Sequence, residues 1–395
     1  MKLTKRLIAL ALSGVLMLGG LTACGEVKAN LPEYDPATLD TATVTDLTEF
    51  LLGVPGDTAV ATLNGEDVTA TEFVYWIVAY CDNAQQSAYQ NTGSLTIPWD
   101  ADMGNGATLE SFIRENALNL AVSQRMVAQM ANKEGIAMTV EQQDKVQQIL
   151  DSLAAEGMQI GADLDQYLQL SMAIGEELFR WNWKCDFAYD ALQEARFGGE
   201  NAPSAEEILS WLEEEQNYYR VKHILIETQG ITDEEAIKEK RALADDLLNR
   251  LLAAEDPIAL FDDLMLEYGE DPGVASNPDG YVAYPGQMVT EFEQASLGLE
   301  EGTFSDVVTS SFGYHIILRL PLNVDTEEYR DTYVSSAMAQ VVTGLVEQSK
   351  WKTAALCDEV DVSDVYARMT AFRNRFGQPP VEQAEQSEGD SSAAE

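Results

Sequence analysis

Over 395 residues the chain sets 67 Asp and Glu against 24 Lys and Arg, and the resulting formal charge of −43 disfavours nucleic acid and anionic lipid as partners. The same field keeps the protein monodisperse and attracts basic clients only weakly and in a salt-dependent way. With two histidines and no cysteine cluster, neither a zinc site nor a cofactor is expected.

Residues 1–23 open with Lys2, Lys5 and Arg6, run apolar from Leu7 to Gly20, and lead into Leu21-Thr22-Ala23-Cys24. The apolar run is shorter than the roughly 20 residues a spanning helix needs, so it reads as a secretory signal. Its L-T-A-C ending looks like a lipoprotein signal, which implies cleavage before Cys24 and a diacylglyceryl group on that sulfur. Two acyl chains, at about 0.8 kcal/mol per buried CH₂, hold a soluble body on a membrane. The expected location is therefore extracytoplasmic, lipid-anchored to the outer face of the cytoplasmic membrane. Cys81, Cys185 and Cys357 stand in helical, largely apolar contexts and read as buried thiols.

From residue 24 to 58 scattered Pro and acidic residues read as a linker, and 59–217 as an all-helical region introduced by a hairpin at Asn64-Gly65. Capping boxes mark helix starts at Thr69 with Glu72, Thr139 with Gln142, and Ser204 with Glu207. Between the first two, Leu118, Val122, Met126 and Met130 recur at helical spacing, and further helical pattern covers about Leu164 to Phe197. The aromatic side chains of this region, Trp76, Tyr80, Trp181, Trp183 and Tyr189, read as core in preference to a peptide-binding groove.

The texture changes from 218 to 322. Tyr219–Glu227 reads as a strand carrying His223, and Tyr314–Leu320 as one carrying His315. Between them Thr232 with Glu235, Asp256-Pro257, and Thr290 with Glu293 cap three helices, while 271–284 is a turn-rich loop entering a short strand and Phe304–Ser311 a further strand. The order is βααβαββ, an α+β domain with a small sheet. A lone His in an apolar strand is ordinarily a satisfied core residue. What raises these two is the text between them.

RVKHILI, PGQMVTEFEQASLGLEEGTFSDVV and FGYHIILRL resemble, in order and spacing, the first strand, the GQM…FE…L..G..S.PV block and the closing strand of the parvulin family of peptidyl-prolyl isomerases. The resemblance implies a four-stranded antiparallel sheet wrapped by helices, with first and last strands as central neighbours, so that His223 and His315 meet. It further implies a proline pocket walled by Met288 and Phe292, one turn apart on the third helix, and a hydrogen-bonded His223–His315 pair on its floor that positions and does not abstract protons. Asp271 falls where family members carry Cys, Asp or Ser; read by itself, it is a turn residue before Pro272. Two departures stand out. The family's GGDLG turn is here Asn277-Pro278-Asp279-Gly280-Tyr281, and Phe312, a substrate-side residue, replaces a Ser found in some parvulins.

Residues 323–372 return to helix, at Glu327–Ala355 and Ser363–Phe372, and 373–395 read as a disordered acidic tail. The whole arrangement resembles extracellular foldase lipoproteins of the PrsA type and SurA-like chaperones, in which the residues after the isomerase domain pack back on the N-terminal helices. The resemblance implies a membrane-anchored isomerase acting on X-Pro bonds of unfolded exported proteins. The alternative is an ATP-independent holdase with a silent parvulin domain; homodimerisation stays open. A solute-binding lipoprotein, the third reading, would need two lobes with parallel sheets, against the helical N-terminal region.

Overall fold

The computed structural model describes residues 27–104 and 106–378. The expected signal peptide, the lipidation site Cys24 and the tail from 379 onward lie outside these residues. The described chain forms two compact units, one built from the segments up to Asn201 and from Ser335 onward, the other from Ala202–Val334.

In chain order the principal elements are helix α1 (Leu47–Leu52), strands β1 (Ala59–Leu63) and β2 (Glu66–Thr69), and helices α2 (Ala70–Thr92), α3 (Leu109–Glu134), α4 (Val140–Gln159), α5 (Leu164–Met172) and α6 (Glu176–Phe197). They continue with α7 (Ala205–Ser210), β3 (Tyr219–Glu227), α8 (Glu234–Ala253), α9 (Pro257–Tyr268), β4 (Tyr281–Ala283), α10 (Thr290–Leu297), β5 (Val308–Thr309) and β6 (Gly313–Leu320). The last are α11 (Arg330–Gln348), β7 (Trp351–Thr353), α12 (Leu356–Glu359) and α13 (Val362–Arg375). Among the described residues no helix is long and apolar enough to cross a membrane.

The first unit keeps its expected helix starts, with capping boxes at Thr69 and Thr139, and adds one that was not expected, at Thr108 with Ser111. Asn64 and Gly65 take φ of 55° and 89°, the left-handed pair that a tight hairpin between twisted strands demands. Three expectations change. The region is not all helical, because β7, expected as helix, pairs antiparallel with β1 to give a sheet in the order β2-β1-β7. Asn64 reaches across to this returning segment, donating from Nδ2 to Ser349 Oγ and accepting from Lys350 N at Oδ1.

The supposed linker also carries structure. Asp46 caps α1 by accepting from Glu49 N, and Leu47, Phe50, Leu51 and Leu52 are buried in the core. Arg368 of α13 donates to Pro32 O at 2.9 Å and Phe50 O at 3.3 Å, and Arg375 to Leu39 O at 3.1 Å, so this segment is pinned by buried guanidinium groups. The third change is at the other end, where α13 runs on to Arg375, past the expected start of the tail. The thiols of Cys81, Cys185 and Cys357 are all buried; Cys357 Sγ contacts Val60 O at 3.4 Å, and burial pushes the Cys185 thiol up to about 12.

The second unit is wider than 218–322. Ile208, Trp211 and Leu212, in α7 and the single π-helical turn that follows it, bury against Leu322 with Tyr329 and Tyr333 packed alongside. Its elements run β3-α8-α9-β4-α10-β5-β6, and the sheet order β4-β3-β6-β5 makes β3 and β6 the central antiparallel neighbours. One face, with Ile224, Ile226, Ile316 and Leu318, packs on Leu247, Leu251, Phe261 and Leu264 of α8 and α9. The opposite face presents Val221, His223, His315 and Ile317 toward α10. Two caps differ from expectation: α8 starts on Asp233, which accepts from Glu235 N, and α10 has Val289 at its N-cap without a side-chain bond.

Candidate functional site

The ladder between β3 and β6 sets the two histidines. His223 stands opposite Ile317 and His315 opposite Leu225, so the imidazoles are diagonal neighbours on one face of the sheet. Their rings lie 5.3 Å apart at 10°, and Nδ1 of one meets Nδ1 of the other at 3.1 Å. The entry of β6 depends on Gly313, whose φ is 147°; a Cβ there would lie 2.3 Å from Ile226 O. Only glycine lets the strand approach β3 this closely just before His315.

Each outer ring nitrogen also has a partner. His223 Nε2 lies 2.8 Å from Asp271 Oδ2, and His315 Nε2 lies 2.7 Å from Ser310 Oγ. Tyr281 donates its hydroxyl to the same Asp271 oxygen at 2.5 Å, Gly273 N donates to Asp271 Oδ1, and Phe312 N donates to Ser310 Oγ. The hydrogen bond from His223 holds the Asp271 carboxyl well below the usual range, helped by Tyr281 and Gly273 against the cost of burial. Burial lowers His315 to about 4, and the neighbouring His223 acts in the same direction. An ionised carboxylate only accepts and a neutral imidazole has one donor and one acceptor. With both rings neutral one order satisfies every atom: Ser310 donates to His315 Nε2, His315 Nδ1–H to His223 Nδ1, and His223 Nε2–H to Asp271. A chain spent in this way orients rings and leaves no free base.

Phe292 of α10 stands edge-on to both imidazoles, at 5.1 Å from His223 and 5.3 Å from His315. It is buried among Val221, Ala283 and Ile317, and Met288 packs against that cluster half-buried. Met288 is not on the helix, as expected, but in the turn that precedes α10. Phe312 is 39% exposed in the β5–β6 turn. The altered turn at 277–281 is tied down by Arg220, which donates to Asp279 O from Nε at 2.9 Å, and by Asn277, which donates to Gly273 O at 3.0 Å.

The structure thus brings His223, His315, Asp271, Met288 and Phe292 together around one apolar face, while Phe312 stands exposed in the β5–β6 turn. Reading the sequence missed Tyr281 and Ser310. Tyr281 was seen only inside the altered turn, although its hydroxyl serves the Asp271 carboxylate. Ser310 carries a weak signal, a hydroxyl five residues before His315 across a tight strand reversal. Among the described residues no cluster of His, Cys, Asp and Glu forms a metal site.

Residues 209–319 match the family described as the PPIC-type PPIASE domain. The chain is similar to the foldase protein PrsA of Caldanaerobacter subterraneus, 27% identical over 67% of this chain and 73% of the relative. It is also similar to the chaperone SurA of Alkalilimnicola ehrlichii, 38% identical over 33% of this chain and 29% of that one, and to PrsA of Halalkalibacterium halodurans, 30% identical over 46% and 52%. The chain thus spans about half or less of the length of the latter two. The segment 209–319, with its stacked histidines on the two central strands, therefore belongs to the PPIC-type, or parvulin, peptidyl-prolyl isomerases, and the chain that carries it is PrsA-like.

Proposed function

We propose that this protein is a membrane-anchored extracytoplasmic foldase that catalyses cis–trans isomerisation of X-Pro bonds in exported proteins. The observation that carries the reading is the apolar floor made by Phe292 over the fully paired His223 and His315, with Met288 beside it. Rotation about an X-Pro bond crosses a barrier near 18–20 kcal/mol because the amide loses resonance, and it requires neither bond cleavage nor net proton transfer. A dry, rigid surface that accepts the proline ring and holds the twisted amide better than the planar one accelerates such a reaction. Phe292 and Met288 supply the apolar contact, Phe312 covers the substrate side, and the polar chain from Asp271 to Ser310 keeps the floor from shifting. Uncatalysed, the step takes tens of seconds or more, long enough to stall an exported chain.

A protease-coupled assay on X-Pro peptides tests the site. His223→Ala and Met288→Ala should each lower kcat/KM by tenfold or more in the full chain; unchanged activity would remove these residues from the reaction. The anchoring part of the reading rests on the L-T-A-C sequence, and Cys24→Ser should release the protein from membranes without altering peptide turnover. The rival, a holdase with a silent parvulin domain, rests on the altered turn at 277–281. The bonds from Arg220 and Asn277 that close this turn favour the isomerase.

A further inference from the structure

The altered turn ends on Tyr281, at the place of the last glycine of the family's GGDLG. A glycine brings no side chain to the site; Tyr281 brings a hydroxyl to the Asp271 carboxylate. β4 pairs Tyr281 with Val221, two residues before His223 on β3, so the phenol lies on the sheet face that carries the imidazoles. Its ring stands edge-on to His223 at 5.7 Å, and its hydroxyl donates at 2.5 Å to Asp271 Oδ2, the oxygen that also faces His223 Nε2 at 2.8 Å. The loop before it is shaped to fit. Gly273 N donates to Asp271 Oδ1 at 2.9 Å, Asn277 Nδ2 donates to Gly273 O, and a Cβ at Gly273 would overlap the Tyr281 hydroxyl. Burial first, and then the Asp271 carboxylate, pushes the phenol above its ordinary value, so it remains a donor.

This hydroxyl matters because the polar chain could run in two directions. An ionised Asp271 only accepts, and takes the Nε2 hydrogen of His223. A protonated Asp271 would donate to His223 Nε2 instead, turning His223 Nδ1–H toward His315 and His315 Nε2–H toward Ser310. Ser310 Oγ would then receive both His315 and Phe312 N, and its own hydrogen would have no acceptor within the chain. Donors strengthen against a charged acceptor, so Tyr281 on one oxygen and Gly273 N on the other favour the first direction. The titratable groups that face the carboxylate are His223, Tyr281 and, one ring further on, His315.

We infer that Tyr281 is a positioning residue of the isomerase: through Asp271 it fixes the orientation and hydrogen-bond direction of His223, and the altered turn, with Gly273 clearing its space, supplies it. The inference rests on the isomerase reading and gives the departure at 277–281 a part in the site.

Tyr281→Phe removes the hydroxyl and keeps the ring, so a residue that only packs would show no change. In the full chain the variant should lower kcat for X-Pro peptides about tenfold and leave KM within about twofold, because the hydroxyl orients the floor and does not touch substrate. With only two histidines in the chain, their ring nitrogens can be followed one by one in a ¹⁵N-histidine NMR spectrum. Wild type should show His223 as the Nε2–H tautomer and His315 as the Nδ1–H tautomer. In Tyr281→Phe the His223 ring N–H should exchange with water about tenfold faster. Gly273→Ala, which displaces the hydroxyl without removing it, should produce the same two changes, and the double variant no more than either alone. Wild-type kcat or wild-type ring exchange in Tyr281→Phe, or a change in KM alone, would overturn the assignment, as would full activity in Tyr281→Gly, which restores the family's residue. A wild type that turns over no X-Pro peptide would remove the isomerase reading instead, and the ring spectra would then decide whether Tyr281 orients His223.

Discussion

Each unit of this molecule runs a chain of buried polar groups through its interior, and the two chains end differently. In the second unit Tyr281, Asp271, His223, His315 and Ser310 pass donors and acceptors along until the last hydroxyl accepts from the Phe312 backbone. In the first, Trp76, Gln124 and Asn182 do the same but stop on an amino group with nothing to donate to. A fully paired network fixes a surface on which a neutral substrate can slide and twist. An unfinished one leaves a buried donor whose desolvation the fold must carry.

The comparison breaks most visibly at Phe292, which wedges both imidazoles. Phe292→Ala should cost about 3–5 kcal/mol of stability in the second unit, measured by denaturant unfolding. Its peptide turnover should fall too, since the rings lose their lateral support. Acid comes next. His315 is lowered to about 4, so between about 4 and its ordinary 6.5 the unfolded chain binds a proton that the folded one does not, and stability must rise with pH across that window. The expected gain is on the order of 2–3 kcal/mol, absent in His315→Phe. Asp271 works lower down: its stabilisation is complete above its ordinary 3.8 and is lost as the pH falls toward its depressed value. Gln124→Leu should cost about 2 kcal/mol by orphaning Trp76 and Asn182, with no effect on the pH window. At the small end, Lys238→Ala removes an ion pair with Glu235 in which both side chains are about 70% exposed, and thermal unfolding should register less than about 0.5 kcal/mol.

How far these networks were legible in sequence depended on range. Capping boxes and the Asn64-Gly65 turn are local, with all partners within a few residues, and they stand as expected. The meeting of His223 and His315 joins positions 92 apart in sequence and needed a family pattern to be seen. Where neither help existed, the reading failed. Trp351-Lys352-Thr353 is a strand only because Leu63, Thr62 and Ala61 offer it an edge, and its continuity with α11 read as helix. The segment Leu47–Leu52 was overlooked because the prolines around it suggested a tether, although Asp46 and Gly53 mark both of its ends. Trp183 read as core by composition, and only the packing of α4 and α5 leaves its indole nitrogen buried without an acceptor.

The pairing of β7 with β1 has a consequence for how the chain is made. The sheet of the first unit joins Asn64 to Ser349, 285 residues apart, so during synthesis β1 waits with an open edge until nearly the whole protein has emerged. The second unit, contiguous from 202 to 334, is complete before that partner arrives and can fold in the interval. Its folding would draw Asn201 and Ser335 toward a fixed separation and so shorten the effective loop that β7 must close. On this account the isomerase unit serves its own chain first: destabilising it should slow the last folding phase of the helical unit while leaving that unit's final stability nearly unchanged.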